Sequence, residues 1–279
     1  MFATPHAASA IVPAPVFAAH RASTRSSPAT PPLARPLVAP TQGDTIAATM
    51  ALLGQTLAPQ KRLVHAGDVL YRAGDAFDCL YILNSGLTKI VKLTADGREQ
   101  VVGLKFRGDW LGLDGIGRAA YGCDAVAMDT GEVWVIRYDA LLAACAAQPV
   151  LLTVLHEAMS REIARDRDSL MSVCTLPADA RVAEFLRYWA DSLARRGLRT
   201  DQITLRMTRA EIGNYLGMTL ETVSRALSKL ARHGLIVFAE KGRRDLNIPC
   251  VDALAGFVQG SLQPAGGALT LHPQPVTLQ

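Results

Sequence analysis

Cysteine, aromatic residues, charge and long apolar runs are all sparse in this 279-residue chain. Its five cysteines (Cys79, Cys123, Cys145, Cys174 and Cys250) are odd in number and scattered. Without a C-x-x-C pair or two histidines at ligand spacing, neither a disulfide framework nor a local cysteine metal site is encoded. No stretch reaches the roughly 18 to 20 uninterrupted apolar residues of a membrane-spanning helix. The longest candidate, Ala140 to Leu155, is interrupted by Gln148 and Pro149 and reads as core-facing helix. The N-terminal segment has no basic start, and Pro13 and Pro15 cut its apolar run. A secretory signal is therefore not expected, and a cytoplasmic location is. Charged residues are only 19% of the total, and a net charge of +4 is too mild to identify a nucleic-acid partner by itself.

Apolar residues, by contrast, make up 49%, enough for one large core or two ordinary ones. The charge is unevenly placed. Residues 1–43 hold three basic side chains (Arg21, Arg25 and Arg35) and no acid, whereas Pro177 to Cys250 holds 13 basic against 8 acidic, which makes it the candidate anion-binding module. Residues 1–43 are rich in Ala, Pro, Ser and Thr, and their prolines prevent continuous helix or strand, predicting a disordered extension. Met50 opens the first helix that the pattern predicts, so an overextended gene start is an alternative for residues 1–49. Residues 259–279 predict a second loose tail.

Between Leu57 and Arg137, short β-like runs (Leu80 to Leu83, Leu87 to Leu93, Val101 to Phe106, Val133 to Ile136) are punctuated by glycines, and Ala95-Asp96-Gly97 reads as a hairpin turn. This predicts an all-β sandwich or jelly-roll barrel of about 80 residues. The apolar period then changes. Leu152, His156, Met159, Ile163, Asp166, Leu170 and Val173 recur at alternating steps of four and three, along one seam of a long helix. Such a helix packs either on its own barrel or on a twin. Asp166 favours the twin: an acid is costly against an apolar core, whereas in a dimer it faces its counterpart or a neighbouring Arg and makes association conditional.

The most informative segment is Leu205 to Leu235. Thr208 and Glu211 form a capping box for a short helix. Ile212 and Leu216 face inward, Gly217 allows a left-handed turn, and Thr219 caps a second helix with Val223, Leu227 and Leu230 on its buried stripe. This pattern is a helix-turn-helix, with an ordinary helical hairpin as the alternative. Glu221, Ser224 and Arg225 share the exposed face with Ser228, near the end that enters a major groove. Arg can donate two bonds to guanine, Glu can accept from cytosine, and Ser can meet a thymine edge. Thr208, Arg209, Thr219, Thr222 and Lys229 suit phosphates. After Leu235, two short β runs around Glu240 to Arg244 read as a two-stranded wing. Its Arg243 and Arg244 are further phosphate candidates or, equally, a solvated turn.

At these residues the chain resembles the CRP/FNR superfamily of bacterial transcription regulators. The order of elements matches from about Leu57 to Phe257, and IGNYLGMTLETVSRALSKL and GDWLGLDGIG are similar to the FNR and FixK branches. The resemblance implies an α+β chain. Its parts would be an N-terminal β-roll, a cyclic-nucleotide-binding-like jelly roll, over residues 44–148, a dimerisation helix over 149–175 and a winged helix-turn-helix over 176–258. It also implies a homodimer on a twofold-related double-stranded DNA operator, with RNA polymerase as a partner and no membrane. Leu220 stands where the cyclic-AMP receptor branch carries an Arg before the recognition Glu. Glu221, Ser224 and Arg225 instead resemble the FNR-branch set, which implies an operator like TTGAT-N4-ATCAA and an activator. The dimer interface would use Leu152, Met159, Ile163, Asp166, Leu170 and Val173.

The sensor region departs from that family. Where an Arg-Ser pair would neutralise a cyclic phosphate the chain reads Tyr121-Gly122-Cys123-Asp124, leaving a phosphate without a cation and beside Asp124. Cyclic AMP is therefore not expected. Oxygen-sensing members hold an iron-sulfur cluster on cysteines near the N-terminus plus one on a barrel strand. Here no cysteine precedes Cys79, and Trp134 aligns with the barrel position, so no such cluster is expected. Haem stays open as a cofactor, with His65 and His156 the histidines of the folded sensor region, as does a small-molecule receptor that binds DNA only with its effector. Cys123 and Cys174 are candidates for a redox switch, with buried structural cysteine the alternative. A metal enzyme on a barrel needs two or three His and a carboxylate together, which six scattered histidines do not supply.

Overall fold

The computed structural model describes residues 42–239 and 244–262. The extension expected over 1–43 lies outside these up to residue 41, as does the tail expected over 259–279 from residue 263 onward. Helix α1 (Gln42–Leu57) begins well before Met50, where the sequence pattern placed the first helix. Ile46, Met50 and Leu53 recur at helical spacing and pack on Trp110 and Trp134, and that docking carries the helix back past Met50.

Eight strands follow, numbered in chain order, in two antiparallel four-stranded sheets. One joins β1 (Gln60–Val64), β8 (Gly131–Arg137), β3 (Cys79–Ser85) and β6 (Trp110–Leu111) in that order. The other joins β2 (Val69–Tyr71), β7 (Asp124–Ala127), β4 (Thr88–Leu93) and β5 (Glu99–Lys105). The jelly-roll interior holds Val64, Leu83, Leu111, Ala125 and Val133, with Tyr71 stacked on Tyr121 at 4.1 Å. Strand β3 is buried on both faces, because Leu80 and Ile82 point outward under α1 and the helices after the barrel. That explains its unbroken apolar run where a half-buried strand would alternate. The Ala95-Asp96-Gly97 turn closes the β4–β5 hairpin, with Gly97 at φ 78°.

The apolar stretch Ala140 to Leu155 is two helices, α2 (Tyr138–Ala147) and α3 (Val150–Thr175), broken at Gln148 and Pro149. Leu151, Val154, Leu155 and Ala158 bury the start of α3 on the barrel, and no later residue of that helix is buried. Pro177 forces Leu176 out of the helical region, ending α3 and opening α4 (Ala178–Ala194). Val182, Phe185, Leu186 and Trp189 recur at helical spacing as the buried face of α4, with Leu193 half-buried at its end.

The remaining elements are β9 (Gln202–Thr204), α5 (Arg209–Leu216), α6 (Leu220–Arg232), β10 (Val237–Phe238), β11 (Asp245–Asn247) and α7 (Val251–Leu262). The wing expected with two strands has three, in the order β10-β11-β9. Strand β9 buries only Ile203 between exposed neighbours and precedes both helices, too brief a signal to read as part of the wing. Helix α7 runs past residue 258, seated by Leu254 and Val258. One apolar cluster continues from the β4–β5 hairpin into this C-terminal part, with Phe106 set edge-on to Trp189 at 5.5 Å between ring centroids.

Candidate nucleic-acid interface

Two glycines set the angle between α5 and α6. Gly217 ends α5 in the left-handed region at φ 65°, and a Cβ on Gly213 would lie 2.5 Å from the Met218 carbonyl oxygen. Only glycine lets α5 approach the entry to α6 so closely. The turn residue is apparent in the sequence; Gly213 is not, because its demand comes from packing.

The caps form as expected. Thr208 Oγ1 accepts from Glu211 N at 3.1 Å while Glu211 Oε2 accepts from Thr208 N at 2.8 Å. Thr219 Oγ1 accepts from Thr222 N at 3.2 Å and starts α6. Val223, Leu227 and Leu230 are buried, so Glu221, Arg225 and Ser228 stand exposed on the far side. Arg225 rests its guanidinium on the Thr222 hydroxyl at 3.4 Å. Ser224 is half-buried and accepts from Arg209 Nη1 at 3.0 Å, and Arg209 also lies over the Phe238 ring at 5.8 Å. The Glu221 carboxyl is held below its ordinary value by its own helix-terminal N–H, by the Thr219 hydroxyl and by Arg225. It is therefore an anion at neutral pH and an acceptor.

A groove along α6 is lined by Thr222, Ser224, Arg225, Ser228 and Lys229, joined by Arg232 and Asp179. The last two were not singled out from the sequence; basic residues in the final helical turn are the signal for Arg232. Lys229 is committed to Asp179 of α4. Arg244 is exposed at the wing and its carbonyl accepts from Leu205 N at 2.8 Å. Arg243 lies outside the described residues.

The opposite side of α5 docks on the barrel. Lys89 of β4 reaches Glu211 at 2.6 Å. Asn214 donates to the Glu99 carbonyl at 2.7 Å and accepts from Val101 N at 2.6 Å, spanning the backbone of strand β5. Burial alone would raise the Glu211 carboxyl; the hydrogen bonds from Lys89 and Thr208 outweigh it and hold the group below its ordinary value.

Two domain families match the chain: the cyclic nucleotide-binding domain over residues 61–148 and the Crp-like helix-turn-helix domain over 180–257. The fumarate and nitrate reduction regulatory protein of Salmonella typhimurium is 34% identical over 200 residues, covering 72% of this chain and 80% of the relative. The chain belongs to the CRP/FNR family of transcription regulators. The transcriptional regulatory protein btr of Bordetella pertussis, also 34% identical, is covered over 83% of its length and matches 72% of this CRP/FNR chain. The structure of FixK2 from Bradyrhizobium japonicum superposes with a TM-score of 0.63 at 27% identity, covering 71% of this chain and 96% of that one. Membership makes this CRP/FNR protein a DNA-binding transcription regulator. Among the described residues no helix is long and apolar enough to cross a membrane.

A cavity of about 500 Å³ lies between the barrel and α3 of this CRP/FNR chain. The Tyr121 to Asp124 segment brings no cation, but Lys92 and Lys105 line the cavity from other strands, the latter paired with Glu162. Lys92 comes from β4, far in sequence from the Tyr121 to Asp124 segment. Asp114 and Asp166 also line the cavity, so acids still face any entering phosphate. Neither His65 nor His156 borders it; both are exposed.

Proposed function

We propose that this regulator acts as a homodimer of the FNR/FixK type. In this reading it activates transcription in the cytoplasm by reading a TTGAT-N4-ATCAA-like operator and engaging RNA polymerase, with no catalytic reaction of its own. The observation that carries the reading is the face of α6 that exposes Glu221 and Arg225 at its N-terminal half, with Ser224 half-buried beside them and an intact buried stripe behind. Arg225 reads guanine, Glu221 a cytosine amine and Ser224 a base edge, while Thr208, Arg209, Thr219, Thr222 and Arg244 meet phosphates. Lys229 joins the phosphate contacts by leaving Asp179.

Support for the dimer comes from one stripe along α3, where Leu152, Ile163, Leu170 and Val173 are exposed, with Met159 half-buried and Asp166 among them. Two such helices side by side bring two α6 helices to half-sites about one DNA turn apart.

The donor set does not fit an FNR-type cluster. All five cysteines are described residues, and among the described residues no group of three or more His, Cys, Asp or Glu is arranged to hold a metal ion. No step of the proposed function passes through such a group. Selection of binding sites from random DNA, in air and without reconstitution, tests the whole reading. The expected product is the stated palindrome; brown protein with stoichiometric iron and sulfide, or selected DNA without twofold symmetry, contradicts it. The alternative, a receptor that binds DNA only with a small effector, draws on the cavity between the barrel and α3 and predicts no selection until that effector is added.

A further inference from the structure

A second crevice, of about 160 Å³, opens where α1, the Gly108-Asp109 turn, α3 and the end of α4 meet. It lies away from the apolar seam: Arg161, on its wall, is about 140° round the helix from Asp166 at 100° per residue. Four guanidiniums, from Arg161, Arg165, Arg195 and Arg196, line it against two carboxylates, Asp109 and Glu157. Both acids are already used. Asp109 sits between Arg196 at 3.0 Å and Arg165 at 3.4 Å, and Glu157 pairs with Arg161 at 3.6 Å. The second acid near Arg165, Glu162, also serves Lys105.

Among the described residues Arg195 has no carboxylate within ion-pairing distance. Its guanidinium reaches Ser192 Oγ at 3.4 Å, and its Nε is shut off from solvent with no acceptor among the described residues. A buried donor without an acceptor is destabilising, and a turn of the side chain that offers it to a ligand oxygen relieves that cost. Burial, with Arg165 and Arg195 adding to it, pulls the Arg196 guanidinium below its ordinary value in spite of Asp109. Neither flank of the chain supplies a missing side-chain carboxylate, since residues 1–43 and 263–279 contain no Asp or Glu. The wall formed by Ile46, Met50 and Leu53 is apolar.

We propose that this crevice binds a small organic anion, its phosphate or carboxylate head among Arg161, Arg165 and Arg195 and a short apolar body against α1. Planar guanidiniums are suited to either oxyanion. Bound there, the anion ties α4, the first helix of the DNA-binding part, to α3 and α1, so anion affinity and operator affinity are linked. That link rests on the operator reading above; the anion site itself does not.

The test titrates the full-length protein with phenyl phosphate, inorganic phosphate and chloride at matched ionic strength. Phenyl phosphate is expected to raise the Tm by about 5 °C at a hundredfold excess over Kd. Inorganic phosphate should do less and chloride nothing. Arg195→Met should abolish the rise, and Arg161→Gln, at a half-exposed position, should weaken binding about tenfold by removing one charged contact. An equal rise with chloride, no rise with either phosphate, or an unchanged rise in both variants overturns the proposal. So does a rise that disappears in Arg225→Ala, which would place the anion on α6. Operator affinity measured with and without phenyl phosphate separates the two readings. If the variants abolish the Tm rise but operator affinity ignores the anion, the linkage is overturned. If no operator is bound under any condition, the DNA reading falls while the site stands.

Discussion

The exposed face of α6 and the cavity of the barrel both gather polar side chains, but they hold them in opposite ways. On α6 each group is steadied by a neighbour within its own helix or the adjacent one: Arg225 by Thr222, Ser224 by Arg209, Glu221 by its helix terminus. In the cavity the groups come from distant parts of the chain, Lys92 from β4, Asp114 from the turn after β6, Asp166 from α3. A reading surface assembled from one short segment keeps its chemistry whatever the rest of the chain does. A cavity assembled from segments this far apart changes its chemistry whenever one of them moves.

The largest expected effect tests the local half of that contrast. Arg225→Ala should weaken operator binding by about 1 to 3 kcal/mol per half-site and erase discrimination at one G·C pair, whereas Lys229→Ala should weaken all sequences alike. Competition binding against operators altered at single positions measures both; uniform loss in both variants would reassign the base reader. Next comes the docked side of α5. Asn214→Ala removes both hydrogen bonds to β5 and should loosen docking by about 1 to 2 kcal/mol, read as faster hydrogen exchange at the Val101 amide while the α6 amides stay protected.

Smaller is the seam. Burial, followed by the nearby Glu162 charge, raises the Asp166 carboxyl, with Lys105 and Arg165 opposing. A carboxyl raised in the folded state opposes folding when ionised, and a second Asp166 across a twofold seam would add like-charge repulsion to association. Asp166→Ala should therefore strengthen the dimer by about 1 kcal/mol, and the wild-type dimer should tighten as pH falls through that raised pKa. Sedimentation at two pH values decides; a weaker dimer in the variant makes Asp166 a net partner of Arg165 or Arg167 across the axis. The smallest effect is the Lys89–Glu211 pair. Glu211 titrates below its ordinary value, so its contribution is complete above that ordinary value and is lost as pH falls through the depressed one. A partly exposed pair is worth under about 1 kcal/mol, visible as a small acid shift in docking that Lys89→Met removes.

The helix-turn-helix was legible because its signals are local: a capping box, a turn glycine and a buried stripe within one stretch of chain. Strands β3, β4, β5 and β8 were legible from their apolar runs. Strand β6 has two residues and β1 buries only Val64, so neither carries a pattern to read. Asn214 gave no signal at all, because its partners on β5 are more than a hundred residues away. Lys92 escaped for the same reason, and the third wing strand because Ile203 alone announces it.

Strand β5 is the last strand of its sheet, and the side chain of Asn214 stands in for the strand that is missing beside it. Any motion that frees α5 for another arrangement uncovers a row of unpaired amides and carbonyls able to accept a strand from another molecule. The undocked form is thus a sticky one. A variant that undocks permanently should therefore be harder to keep in solution than one that has lost its grip on DNA.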